Sequence, residues 1–248
     1  MEDYLTEILA DIDDRIKDIK AIGDINEDLV KIAISGLNMI KTNLGSTQGN
    51  LGIKAMVDRQ LNTYQQVSRI PALASKFPII REQMVVLMVG ALEVFVSDIY
   101  KSIANNNPEY FCWAEKEKIA FDPLLLSGGF TMGDAIIGHM KNSGVSFQDL
   151  QSMVDSFEKY CRIRIELDPC TRDNLILGAA ARHIIVHNRS IIDLAFLKQI
   201  RNTQFALSGI YVKDHKIEID DSFITQISES INSFCSDVVT HLYQRDDA

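Results

Sequence analysis

The chain has 248 residues, and 46% of them are hydrophobic, which is enough apolar material to bury a sizeable core without disulfides or metals. Its formal net charge of −9 argues against a general nucleic-acid-binding protein. The four cysteines include no CxxC pair, which argues against a zinc ribbon and against a disulfide framework.

The first residues give no sign of a targeting segment. Met1-Glu2-Asp3-Tyr4 is acidic and is not followed by the apolar stretch of a signal peptide, so we expect a cytoplasmic protein. The longest apolar run, 84–89, is much shorter than the roughly 20 residues of a membrane-spanning helix. We therefore expect no association with a membrane.

Charge is distributed unevenly along the chain. Residues 1–29 contain ten acidic and three basic side chains, whereas residues 159–201 contain eight basic and four acidic ones. A basic sector on an acidic body suits a protein that binds a polyanion at one place, and it suits a solvated helix face equally well.

The spacing of apolar residues in the amino-terminal part of the chain predicts two amphipathic helices. Apolar residues recur at helical spacing within 4–21 and again within 29–40, with Ile25-Asn26-Glu27 between them as a turn. We expect a helical hairpin whose apolar faces meet. With a glycine-rich linker it would form an amino-terminal unit, 1–70, packed on a main domain at 71–248.

The main domain is also predicted to be helical. Pro78 opens a helix that is apolar on nearly every face and ends at Asn105-Asn106-Asn107-Pro108, as expected for the centre of a bundle. Ser146-Phe147-Gln148-Asp149 predicts a capping box, and Asp168-Pro169 predicts the start of another helix. With a small β-hairpin near 210–219 and a final helix, the fold class is an all-α helical bundle.

Polar side chains that could take part in binding or catalysis are concentrated at the end of the helix that begins at Asp168. Arg182, His183, His187, Asn188 and Arg189 surround the apolar triplet 184–186. His183 and His187 share a helix face and could form a metal pair, but there is no HExxH motif and no third ligand is indicated, so no metal is predicted. Arg182 and His187 lie about 140° apart on an ideal helix, and they converge only if the helix frays near Asn188.

These residues carry a resemblance to a known family. The stretch 182–187 resembles the R-φ-x3-H signature of HEPN domains, with His183 in the polar φ position. The stretches 81–87, 91–95 and 187–193 resemble the RiboL-PSP and MAE-type HEPN groups. The resemblance covers roughly 79–242, so the fold it implies is a HEPN-like bundle.

The resemblance implies a metal-independent endoribonuclease that needs no cofactor. Many HEPN proteins are toxins or act in phage defence, and their dimers bring two motifs into one cleft. Arg182 would hold the phosphate and His187 would act as acid and base. His183 and Asn188 would orient them, Glu93 would hold Arg182, and further RNA contacts would come from the basic residues Arg189, Lys198 and Arg201.

Two points qualify this expectation. HEPN toxins that a partner nucleotidyltransferase silences have a tyrosine two residues after the motif histidine, and Arg189 stands there in this chain. Inhibition by that route is therefore in doubt, although another antitoxin or defence-system partner is compatible with the sequence. The alternative is a non-catalytic helical module that binds a protein or a nucleic acid through the same surface.

Overall fold

The computed structural model describes residues 2–44, 55–62, 77–111, 129–204 and 209–246. These residues are mostly helical. The helices are α1 (Glu2–Leu44), α2 (55–62), α3 (Phe77–Asn106), α4 (Met132–Asn142), α5 (Leu150–Cys161), α6 (Pro169–Asn188), α7 (Leu194–Ile200) and α8 (Asp221–Asp246). A single 3-10 turn follows α3 at Pro108–Tyr110, and one hairpin is formed by β1 (Ile210–Lys213) and β2 (Lys216–Ile219).

The expected all-α bundle with a small hairpin is confirmed. Helix α3 lies at its centre and packs against α1, α4, α6 and α8. Its buried side chains cover most of the helix circumference, among them Val85, Met88, Val96 and Ile99, whereas Leu87 and Val94 on the remaining face are 48% and 41% exposed. The sequence lacks a polar face because this accessible face also carries apolar residues, and Glu93 lies partly exposed at the edge of the buried face.

The amino-terminal hairpin prediction is wrong, because α1 is one helix of 43 residues, about 65 Å long. The predicted turn at 25–27 is helical. No proline interrupts this segment, and Ile22, Ile25, Leu29 and Ile32 continue the helical spacing through it. The first part of α1 joins the main core, where Leu5, Ile12 and Ile16 are buried. The described part of the predicted helix 54–68 is α2, and its remaining residues lie outside the described ones.

Two local predictions concern helix starts. The capping box predicted at Ser146 is wrong, because Asp149 is the N-cap of α5 and accepts a hydrogen bond from the Ser152 amide. Ser146 instead uses its side-chain oxygen to accept from the Gln148 amide. The predicted start of α6 is confirmed, since Asp168 accepts from the amides of Cys170 and Thr171, and Pro169 occupies the first turn.

Helix α6 ends later and more sharply than the sequence suggested. Asn188 is still helical, and the left-handed conformation occurs at Arg189 (φ 55°) and Ser190 (φ 63°). The Ser190 amide donates to the Ile184 carbonyl, which closes the helix. The fraying near Asn188 that a convergence of Arg182 and His187 would require is therefore not present.

The hairpin holds the end of α6 in place. The Ile217 amide donates to the Ser190 carbonyl, and the Ile192 amide donates to the His215 carbonyl. Ile191 thereby forms an isolated antiparallel bridge with Lys216, beside β2. Asp214 and His215 both have positive φ, as in the two-residue turns that connect such strands.

Among the described residues, no helix combines the length and the apolar composition that a membrane span requires.

Candidate functional site

The carboxyl-terminal end of α6 presents a pair of imidazoles to solvent. His183 and His187 are both exposed, and their ring centroids are 5.0 Å apart with an interplanar angle of 49°. The pairing follows from the helix geometry, which places residues four apart on one face. Val186 lies beside them and is 51% exposed, so the pair borders a small apolar patch.

Arg182 leaves the same helix in a different direction, towards α3. Its Nη2 atom lies 3.3 Å from Glu93 Oε1, and the two side chains are only 20% and 19% exposed. The ion pair lacks good alignment, because Glu93 Oε1 and Arg182 Nε are buried without a hydrogen-bond partner among the described residues. The guanidinium is therefore held by charge in a partly desolvated position.

The environment of Glu93 disfavours its charged form. Burial raises the pKa of Glu93 above its ordinary value of 4.5, while Arg182, Gln148 and Lys141 act in the opposite direction. Glu93 also lines a groove of about 540 Å³ between α3, α4 and the segment before α5. We call this the Glu93 groove; two acids, Glu93 and Asp98, and two lysines, Lys101 and Lys141, line it.

Arg182 and His187 therefore do not meet within one chain. They are helical and five residues apart, so they project about 140° from each other around α6. Val186 and His183 occupy the angles between them. A ligand that touches both Arg182 and His187 has to lie across this exposed end of the helix.

Asn188 and Ser190 fix the end of the helix. The Asn188 side-chain amide donates to the Ile191 carbonyl over 2.8 Å, so it closes the turn and does not contact the histidines. Ser190 is buried, and its hydroxyl donates to Glu82 Oε1 of α3 over 2.6 Å. The role of Glu82 was missed from the sequence, where it stands as one acid beside Arg81 with no sign of its distant partner.

The basic residues expected to contact RNA are all exposed: Arg189, Lys198 and Arg201. None of them forms an ion pair with a described residue, so their charge is available to an anion. Lys198 lies on α7 and Arg201 directly follows it, and α7 packs against α6. Arg189 thus lies at the carboxyl-terminal end of α6, whereas α7 runs back towards the amino-terminal half of α6, since Gln199 lines a groove with Arg172 and the Gln204 amide donates to Asp173. Lys198 and Arg201 therefore lie towards the other end of α6 from Arg189.

The described residues contain no group of three or more His, Cys, Asp or Glu side chains arranged for a metal ion. The His183 and His187 pair supplies two nitrogens on one face, which is fewer than the three protein ligands typical of catalytic zinc.

Comparisons of the chain with family models, with curated proteins and with solved structures gave no match. The physical arrangement at the end of α6, together with the resemblance in the motif, therefore carries the functional argument.

Proposed function

We propose that this protein is a metal-independent endoribonuclease of the HEPN type that works as a homodimer. The observation that carries the proposal is the exposed His183 and His187 pair near the end of α6, on the same helix as the Arg182 guanidinium, which Glu93 holds on another face. Imidazole is the side chain suited to proton transfer near neutral pH, and guanidinium is suited to binding a phosphate.

The proposed reaction uses the nucleophile that RNA carries. His187 accepts the proton of a ribose 2′-hydroxyl, whose oxygen attacks the adjacent phosphorus while the bond to the 5′-oxygen breaks. A protonated imidazole returns a proton to that leaving oxygen. Arg182 binds the phosphate oxygens as negative charge grows on them. The products are a 2′,3′-cyclic phosphate end and a 5′-hydroxyl end.

The homodimer supplies what one chain lacks. Because Arg182 and His187 diverge by about 140° in one chain, a second copy placed across Val186 brings the histidines of one α6 towards the arginine of the other. Burial of the exposed Val186 side chain favours such a contact. A role as a toxin or as a defence effector, restrained by a partner protein, fits this activity.

One observation favours a different function. The ion pair between Arg182 and Glu93 can serve stability alone, and Arg182 then needs no substrate. In that case the exposed end of α6 belongs to a non-catalytic module that binds a protein or a nucleic acid. The two functions differ in whether the purified protein cuts RNA.

The test incubates purified protein with a single-stranded RNA in the presence of EDTA and identifies the product ends. We expect the wild type to produce cyclic phosphate ends, and we expect His187→Ala to reduce the rate by about 10² to 10⁴-fold. Arg182→Ala should also abolish most cleavage. The matched control is His215→Asn, which removes an exposed imidazole from the hairpin turn and places there a residue that tolerates its positive φ.

Full activity of His187→Ala or of Arg182→Ala would overturn the catalytic proposal. Intact RNA after incubation with the wild type would favour the binding module.

A further inference from the structure

A strip of accessible positions runs the length of α6. Within 171–181, which is otherwise buried, the positions that reach solvent are Arg172, Ile176 and Ala179, and His183 and His187 continue the series. Their spacing of four, three, four and four residues confines them to about 80° of the helix circumference. We call this set the α6 strip. It links the histidine pair to the opposite end of the helix along one face.

The amino-terminal half of this strip opens into a groove of about 440 Å³. Side chains from three helices and one connecting segment line it: Gln151 and Val154 from α5, Leu167 from the segment before α6, Arg172 and Ile176 from α6, and Gln199 from α7. We call it the glutamine groove. Its volume lies within the range of small-molecule sites in proteins, about 300–1,000 Å³.

We propose that the glutamine groove is a nucleotide subsite, which holds a base of single-stranded RNA while the strand continues along the α6 strip to the histidine pair. This inference rests on the proposed function and names a place where that substrate binds. Single-stranded RNA is recognised through exposed base faces and base edges, which a groove of mixed character can contact.

The lining matches the parts of a nucleotide. Val154, Leu167 and Ile176 offer apolar surface to the flat face of a base. Gln199 lies at the groove with no hydrogen-bond partner among the described residues, so its amide can both donate to and accept from a base edge. Gln151 uses its amide nitrogen to donate to Asp155 over 2.6 Å, which leaves its oxygen as an acceptor.

Arg172 supplies the positive charge. Its Nε and Nη2 atoms donate to Asp173 Oδ1 over 3.3 and 3.1 Å, and Asp173 is itself buried. This contact orients the guanidinium, whose remaining N–H groups can reach a phosphate. Asp149, the acid at the groove, accepts the capping hydrogen bond of the Ser152 amide.

The spacing along the strip suits a strand that spans both places. Ile176 precedes His183 by seven residues, a rise of about 10 Å, and Arg172 precedes His187 by fifteen, a rise of about 22 Å. An oligonucleotide of a few residues covers this range.

The test measures binding of a short fluorescent single-stranded RNA to the full chain carrying His187→Ala, which prevents cleavage. In this background Ile176→Trp fills the groove and Arg172→Ala removes its charge, and each should weaken binding about tenfold or more. Gln199→Ala, a surface change that leaves the core intact, should alter the preference among bases at one position of the RNA.

The matched control is Arg15→Ala. Arg15 is 48% exposed and Arg172 is 51% exposed, and each pairs with an acid, although Asp11 is exposed and Asp173 is buried. Arg15 lies on α1, which packs against α3 and α8. It should leave RNA binding unchanged. Thermal unfolding followed by circular dichroism verifies that each variant is folded.

The outcomes separate this inference from the proposed function. The subsite proposal is wrong if Arg172→Ala leaves RNA affinity unchanged and Gln199→Ala leaves base preference unchanged. If the wild type nevertheless cleaves RNA, the ribonuclease proposal stands. If the groove variants lose RNA binding but the wild type does not cleave RNA, the subsite proposal stands and the ribonuclease proposal is wrong. If a nucleoside monophosphate competes with the fluorescent RNA as well as an unlabelled oligonucleotide does, the groove is a site for free nucleotides. The proposal that an RNA strand continues along the α6 strip is then wrong.

Discussion

Arg182 Nη2 lies 3.3 Å from Glu93 Oε1, and this pair joins the motif helix α6 to the central helix α3. Both side chains are about four-fifths buried, so each charge depends on the other for compensation. The contact fixes the direction of the Arg182 guanidinium. It also compensates the charge of Glu93, which lies within the apolar helix α3. The pair therefore affects stability as well as the candidate site.

Removing one member of this pair should destabilise the fold. We expect Glu93→Ala to lower the free energy of unfolding by about 1–3 kcal/mol, because it leaves the Arg182 charge partly buried and unpaired. Urea denaturation measures the change. Asp11→Ala is the control, since it breaks the exposed pair with Arg15 and should cost about 0.5 kcal/mol or less. Equal losses in the two variants would show that burial of the Glu93 pair has no energetic consequence.

Glu93 should also make stability depend on pH. Its pKa is raised above 4.5 in the folded chain, chiefly by burial, so folding promotes proton uptake between the unfolded and folded pKa values. The contribution of Glu93 to the free energy of unfolding therefore falls as pH rises from 4.5 through the folded value. Glu93→Gln removes this titration, so the wild type should lose more stability than the variant over that interval. If the urea midpoints of the wild type and of Glu93→Gln change equally as pH rises, the expected loss of stability from Glu93 ionisation does not occur.

Two glycines of α4 should respond oppositely to the same substitution. A Cβ at Gly133 would lie 2.7 Å from the Lys101 Cα and 2.9 Å from its carbonyl oxygen, so α4 and α3 must separate. We expect Gly133→Ala to cost about 1–3 kcal/mol in thermal unfolding. Gly138 has no such neighbour within 4 Å among the described atoms, and Gly138→Ala should stabilise α4 by up to about 1 kcal/mol. Similar changes in the two variants would contradict the close packing of α4 on α3.

Arg189 should show opposite effects on stability and on RNA binding. It adopts φ 55° after α6, a conformation that favours glycine, so Arg189→Gly should raise the free energy of unfolding by about 0.5–1 kcal/mol. The same change should weaken RNA binding, because it removes an exposed positive charge. Arg162→Gly is the matched control, since Arg162 follows α5 with φ 53°. It should stabilise the protein to a similar extent, and an equal loss of RNA affinity there would argue against a specific role for Arg189.

The sequence predicted well those features that depend on neighbouring residues. The start of α6 follows from the oxygen of Asp168 and the fixed φ of Pro169, and both act within one turn. The central position of α3 follows from its lack of a polar face. The prediction failed in α1, where Ile25-Asn26-Glu27 was interpreted as a turn although the apolar spacing continues through it. A single polar interval in a long amphipathic helix does not by itself end the helix.

The candidate site was predictable only in part. The helical spacing of His183 and His187 predicts their proximity, and the spacing of Arg182 and His187 predicts their divergence unless the helix frays. The contact between Ser190 and Glu82 joins residues 108 positions apart, and the glutamine groove needs side chains from three helices and the segment before α6. Such features depend on how the helices pack, which no local pattern encodes.

The packing of α1 has a consequence for the order in which the protein is assembled. Leu5, Ile12 and Ile16 are buried between elements that include α8, and Thr6 bonds to Tyr243 over 2.7 Å. During translation α1 leaves the ribosome long before α8 has been made. Its apolar face can pack on α3 earlier, but the part that faces α8 has to stay uncovered or be bound by a chaperone until α8 has been made.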